Sequence, residues 1–61
     1  MHHVTINNAK NAIINDSITY STFDNIQDTT INYSIVNSNF GNVSSCSFNC
    51  LFNDVSFKDL F

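Results

Sequence analysis

The large apolar residues recur along the chain at intervals that alternate between eight and nine positions. They form a first column: Ile6, Ile14, Phe23, Ile31, Phe40, Phe48 and Phe57. Two positions before each lies a small or β-branched residue, in a second column: Val4, Ala12, Ser21, Thr29, Ser38, Cys46 and Val55. A third column follows three or four positions after each large one: Ala9, Ile18, Ile26, Ile35, Val43, Phe52 (or Leu51) and Leu60. One short and one long interval together make a full period of 17, as from Phe40 to Phe57.

This spacing predicts short β-strands and no helix. A small residue and a large residue two positions apart point to the same face of a strand. Pairs of Asn, Asp, Gly or Lys follow most of the large residues, and we expect the chain to bend there: Asn7-Asn8, Asn15-Asp16, Asp24-Asn25, Gly41-Asn42 and Lys58-Asp59. Ala, Leu, Glu and Arg are scarce, which disfavours helix throughout.

A fixed repeat that turns a corner every few residues is typical of a β-solenoid, in which stacked coils bury a continuous core. We therefore predict an all-β parallel β-helix over residues 4–61, with about three and a half 17-residue coils and no caps. Neighbouring coils should lie about 4.8 Å apart. Residues 1–3 are expected to be a tail or the remnant of a tag. Coil handedness does not follow from the pattern, and a fragment of a longer solenoid would show the same repeat.

Asparagine is unusually frequent, whereas Gly41 is the only glycine and proline is absent. Because asparagine tolerates the left-handed backbone region, the asparagines are interpreted as corner residues first. Asn15, Asn32 and Asn49 also lie one full period apart and face outwards, so they should stack as an asparagine ladder. The matching positions on the other side are Asn7, Asp24, Gly41 and Lys58, for which no ladder is expected.

Charge excludes some classes of partner. The only basic side chains besides histidine are Lys10 and Lys58, against five aspartates, so a nucleic-acid backbone binder is not expected.

No stretch approaches the roughly 20 apolar residues of a membrane span, and no signal peptide is evident. Membrane insertion is therefore not expected. The localisation is left unassigned, and an extracellular fibre is compatible with it.

The candidate chemical groups all have simpler structural interpretations. His2 and His3 fit a tail better than a metal site, and the aspartates fit solvated corners. Cys46 lies in the small inward column and Cys50 at a corner; two thiols lack the ligand count of a zinc site, and their disulfide state is left open. We therefore predict no catalytic residue, no cofactor and no metal.

Three segments resemble the pentapeptide-repeat family: Ser38-Asn39-Phe40-Gly41-Asn42, Cys46-Ser47-Phe48-Asn49-Cys50 and Val55-Ser56-Phe57-Lys58-Asp59. The family's motif places a small residue two positions before a central Leu or Phe and builds a four-sided right-handed β-helix. Here three or four residues separate the units, so the resemblance implies a smaller or flatter coil. It transfers no catalytic residue. It does imply one function, a mimic of DNA that acts on a topoisomerase.

The predicted coil ends suggest the leading function. The first coil would expose Val4 and Ile6 and the last Leu60 and Phe61, with unpaired backbone groups at both ends. We therefore predict a structural protein that polymerises head to tail into a filament, each copy turned by about 180° and advanced by roughly 17 Å if the repeat continues across the junction. The alternatives are the DNA mimic and an ice-binding or other flat-face binding module. Ice-binding solenoids favour a regular threonine array, and in the outward rows of this chain only Thr5, Thr22 and Thr30 conform to it.

Overall fold

The computed structural model describes all residues from Met1 to Phe61 and contains strands but no helix. The strands are β1 (Thr5–Lys10), β2 (Ile13–Asn15), β3 (Ile18–Thr19), β4 (Thr22–Gln27), β5 (Thr30–Ser44) and β6 (Ser47–Leu60). All of them join one parallel sheet, in which β5 pairs with every other strand except β1. With no helix present, none is long and apolar enough to cross a membrane.

Every strand pair joins residues that are 17 positions apart. Thr5 pairs with Thr22, and Phe23 pairs with Phe40, which in turn pairs with Phe57. The chain is thus a β-solenoid of about three turns with a period near 17 residues, which confirms the predicted fold class. The molecule measures 20 × 20 × 17 Å along its principal axes.

The three apolar columns form the core, which is sealed only in the middle of the stack. The Phe23 and Phe40 rings stack with centroids 4.9 Å apart, and the Phe57 ring lies 5.2 Å from that of Phe40. All ten buried residues fall between Ile18 and Val43. Members of the same columns in the first and last coils are only partly buried or exposed. The coils therefore bury one another, and each end coil has a neighbour on one side only.

Hydroxyl groups make the small column compatible with burial. The side chains of Ser21, Thr29 and Ser38 are nearly inaccessible, and each hydroxyl donates to the carbonyl two residues earlier, at 3.0 Å. The Ser21 and Ser38 oxygens also accept the amide N–H of the residue 17 positions earlier, at 3.1 Å. No buried polar side-chain atom lacks a partner. Satisfied hydroxyls avoid the penalty of about 1–3 kcal/mol for an unpaired buried polar group.

The left-handed corners lie immediately before the small column. Residues with positive φ form two series at 17-residue spacing: His3, Tyr20, Asn37 and Asp54, and Asn11, Asp28 and Ser45. Tyr33 is the one further residue with positive φ. Only two of these residues are asparagines, so most asparagines do not serve as left-handed corners. At the Asn and Asp pairs after the large residues, the chain presents two successive exposed side chains without positive φ.

Residues 1–3, which the sequence analysis sets apart as a tail, lie along the first coil. The Thr19 amide donates to the Met1 carbonyl at 2.9 Å, and the His3 amide donates to the Thr19 carbonyl at 3.1 Å. The Met1 side chain packs against the core one period before Ile18. The 17-residue register therefore extends through these three residues.

Candidate functional site

The outer coils carry the surfaces that the sequence analysis proposes for self-association. We define the C-terminal edge as residues 45–61, which pair with the preceding coil on one side and with no strand on the other. The fractional exposures there are 80% for Leu51, 49% for Phe52, 63% for Leu60 and 79% for Phe61. This edge combines unpaired strand backbone with uncovered apolar side chains, which is the usual template for pairing with another chain.

The opposite surface is the N-terminal edge, residues 1–17. Val4 and Ile6 are half-buried and continue the inward columns. The N-terminal ammonium donates to the Ser17 carbonyl at 2.8 Å and to the Asp16 carboxylate at 3.0 Å. This contact lowers the pKa of Asp16 below its ordinary value, first through the hydrogen bond and then through the charge of the ammonium. The predicted edge residues Val4 and Ile6 thus lie at the opposite end of the stack from Leu60 and Phe61.

The predicted asparagine ladder is present on one outward face. The Asn32 side-chain nitrogen donates to the Asn15 side-chain oxygen at 2.6 Å, and Asn49 donates to Asn32 at 3.0 Å. Each amide gives and receives along the stack, which is the arrangement that identical side chains adopt in cross-β ladders.

The structure contains a second asparagine ladder, which was not predicted from the sequence. Asn25 donates to the Asn8 side-chain oxygen at 3.4 Å, and Asn42 donates to that of Asn25 at 3.0 Å. The 17-residue spacing was visible in the sequence, but at the second residue after the large one rather than the first. In both ladders the nitrogen points towards the N-terminal edge. Asp59 takes the next position of the second ladder, and its carboxylate has no hydrogen to donate to Asn42.

Aromatic side chains gather beside both edges. Phe48, Phe52 and Phe57 form a cluster at the C-terminal edge, with ring centroids 5.5 to 6.1 Å apart. At the N-terminal edge, the His3 ring stacks on Tyr20 with centroids 5.4 Å apart, and the His2 Nδ1 lies 2.6 Å from the Thr19 hydroxyl. No group of three or more His, Cys, Asp or Glu side chains is placed to hold a metal ion.

Both cysteines are free thiols. The Cys46 thiol donates to the Ser44 carbonyl at 3.2 Å, the same bond to the carbonyl two residues earlier that the serines of the small column make. The Cys50 thiol lies 3.1 Å from the Ile31 carbonyl, and desolvation raises its pKa. This shift of the Cys50 pKa is opposite to the lowering that activates a nucleophilic thiol.

An open groove of about 300 Å³ follows the second ladder. Amide, hydroxyl and amino groups dominate its walls, and Ala9 and Ile26 are the two apolar residues among the eight that line it. The eight lining residues are Asn8, Ala9, Lys10, Asn25, Ile26, Gln27, Asn42 and Ser44.

The aspartates form no acidic row on the surface. The five of them occupy five different positions of the 17-residue period: Asp16, Asp24, Asp28, Asp54 and Asp59.

A search of protein-family models found none that matches the chain, and searches of curated proteins and of solved structures found no significant match. The pentapeptide-repeat resemblance therefore rests on the three motifs alone. The fold and the arrangement of the side chains are the basis for a functional proposal.

Proposed function

We propose that this chain is a non-enzymatic structural protein that assembles head to tail, through its two coil edges, into a filament of stacked solenoids. The observation that carries the proposal is the contrast between the sealed middle of the stack and the bare C-terminal edge. Leu60 and Phe61 are 63% and 79% exposed, whereas Val43, one coil earlier than Leu60, is fully buried. A further coil would bury Leu60 as the existing coils bury Val43.

The geometry of the two edges makes this assembly open-ended. One edge of a parallel stack differs from the other, so the contact joins two different surfaces and is heterologous. Such contacts generate filaments unless the rotation between copies closes a ring. Each added copy would pair free strand backbone and cover apolar area, at roughly 25 cal/mol per Å² of apolar surface removed from water.

The distribution of polar side chains supports a structural role. Serine and threonine hydroxyls satisfy backbone groups in the small column, and the asparagines bond to one another along the stack. These groups therefore hold neighbouring coils together.

The edge contact can be tested with two lysine variants. Leu60→Lys places a charge on the C-terminal edge, and Gln27→Lys places the same charge on an exposed site of a middle coil. We expect filaments by negative-stain electron microscopy for wild type and Gln27→Lys, and monomers for Leu60→Lys. A monodisperse wild-type monomer at high concentration, measured by light scattering and without filaments, would refute the proposal. Filaments of Leu60→Lys would refute the role of this edge.

A second candidate is a flat-face binding module of the ice-binding type. It is favoured by one outward row in which Thr5, Thr22, Asn39 and Ser56 lie in register, one per coil. Thermal hysteresis in a dilute sample, abolished by Thr22→Leu, would support this function; wild type without hysteresis would exclude it. The DNA-mimic function lacks such support, since the aspartates form no row.

A further inference from the structure

The two edges of the chain also contain information about how consecutive copies are oriented. Within the chain, every pair of neighbouring strands keeps the same 17-residue register. We propose that the next copy keeps it too: it stacks by translation, without the half-turn, so that its residues 1–10 lie on residues 52–61 of the copy before. This inference rests on the head-to-tail assembly proposed above and specifies its register.

After translation, each inward column of one copy continues into the same inward column of the next copy, so that apolar residues lie on apolar residues. Val4 of the next copy lies on Val55, Ile6 lies on Phe57, and Ala9 lies on Leu60. Inside the chain the same column positions hold Ser21, Phe23 and Ile26 of one coil against Ser38, Phe40 and Val43 of the next. Because a one-residue slip would turn inward side chains outward, the register is strongly specified wherever one face is buried.

Polar groups at this junction are complementary. The Asn8 side-chain nitrogen donates to nothing within the chain, and translation places it beside the Asp59 carboxylate. The direction of donation, towards the N-terminal edge, matches that within both ladders. Translation also places His3 of the next copy beside Asp54, at the corner where both residues have positive φ. Hydrogen bonds to a carboxylate are stronger than neutral ones.

The half-turn register fits the chain less well. It places an eight-residue half-coil of one copy on a nine-residue half-coil of the other, so each half needs a bulge. Met1 and His2 of the next copy would occupy the places of Leu60 and Phe61, and Asp16 would face Asp59. Its one gain is that Asn7 would lie on Asn49 and lengthen the first ladder.

Translation has a consequence for the shape of the filament. The rise per copy is four coils, about 19 Å with little rotation, against roughly 17 Å with a half-turn.

Disulfide trapping at exposed outward positions distinguishes the two registers. In a background of Cys46→Ser and Cys50→Ser, the pair T5C/S56C is adjacent between copies only after translation, and the pair T5C/S47C only after a half-turn. Within one copy, Thr5 and Ser56 lie three coils apart, about 14 Å. That exceeds the roughly 7 Å limit between the Cα atoms of a disulfide, as does the separation of Thr5 and Ser47 by more than two coils.

Both variants are polymerised, oxidised mildly and run on a non-reducing gel. We expect T5C/S56C to give a covalent ladder of multiples of 6.9 kDa, with at least tenfold less product from T5C/S47C. The reverse yields, equal yields, or filaments without cross-links would overturn the translational register. If neither variant forms filaments by electron microscopy, in line with a monomeric wild type, the head-to-tail proposal itself fails.

Discussion

Replacement of Phe40 tests whether stability comes from layering, because this ring lies in the middle of the aromatic column. Phe40 is 2% exposed and stacks on Phe23 at 4.9 Å and on Phe57 at 5.2 Å, with Phe48 edge-on at 5.6 Å. Truncating a buried phenylalanine to alanine costs about 3–5 kcal/mol. A domain of this size has a total stability of about 3–9 kcal/mol, at 0.05–0.15 kcal/mol per residue. Phe40→Ala should therefore remove a large part or all of the stability.

Phe57→Ala is the matched control, since the same side chain one coil later has a neighbouring coil on one side only. Phe57 is partly exposed, and we expect its truncation to cost about 1.5–2.5 kcal/mol, roughly half the value for a fully buried ring. Urea unfolding followed by far-ultraviolet circular dichroism, at concentrations where the chain is monomeric, measures both variants. A loss for Phe57→Ala equal to or larger than that for Phe40→Ala would refute the layered core.

Three further predictions concern single side chains and are read from thermal or urea unfolding of the monomer. Ser45→Gly should stabilise the fold by about 0.5–1 kcal/mol, because Ser45 has a φ of 52°, which glycine adopts without steric cost; no gain would count against the left-handed corner. Gly41→Ala should cost about 1–3 kcal/mol, because a Cβ there would clash with the Asp24 carbonyl oxygen of the preceding coil; a neutral outcome would show that the two coils are packed less closely than in this structure. Asp59→Asn should add about 0.5–1.5 kcal/mol by donating to the Asn42 oxygen, and destabilisation would contradict the ladder geometry.

The sequence was sufficient to predict the solenoid because three inward columns keep the same period. A repeat of this length with two alternating inward pairs leaves few alternatives to stacked parallel coils. The first asparagine ladder followed from the same reasoning, since equivalent residues one period apart must be neighbours. The aromatic stack of Phe23, Phe40 and Phe57 has the same origin.

Other features depended on backbone angles that residue type does not specify. The left-handed corners include Tyr20 and Ser45, neither of which is a usual choice for positive φ. These residues lie immediately before the small column, where the chain must turn so that the next side chain points inwards. Packing between neighbouring coils therefore outweighs the backbone preference of the residue at that position. The pairing of Met1 to His3 with the first coil could not be expected from a segment without an apolar pattern.

The most direct test of the central claim is a nuclear Overhauser spectrum of the monomer with assigned side chains. The stacked coils predict contacts between residues separated by 17 positions throughout the chain, including the rings of Phe23 and Phe40 and the side-chain amides of Asn32 and Asn49. A separation that varies along the chain, or the close Hα–Hα contacts of antiparallel strands, would contradict the solenoid.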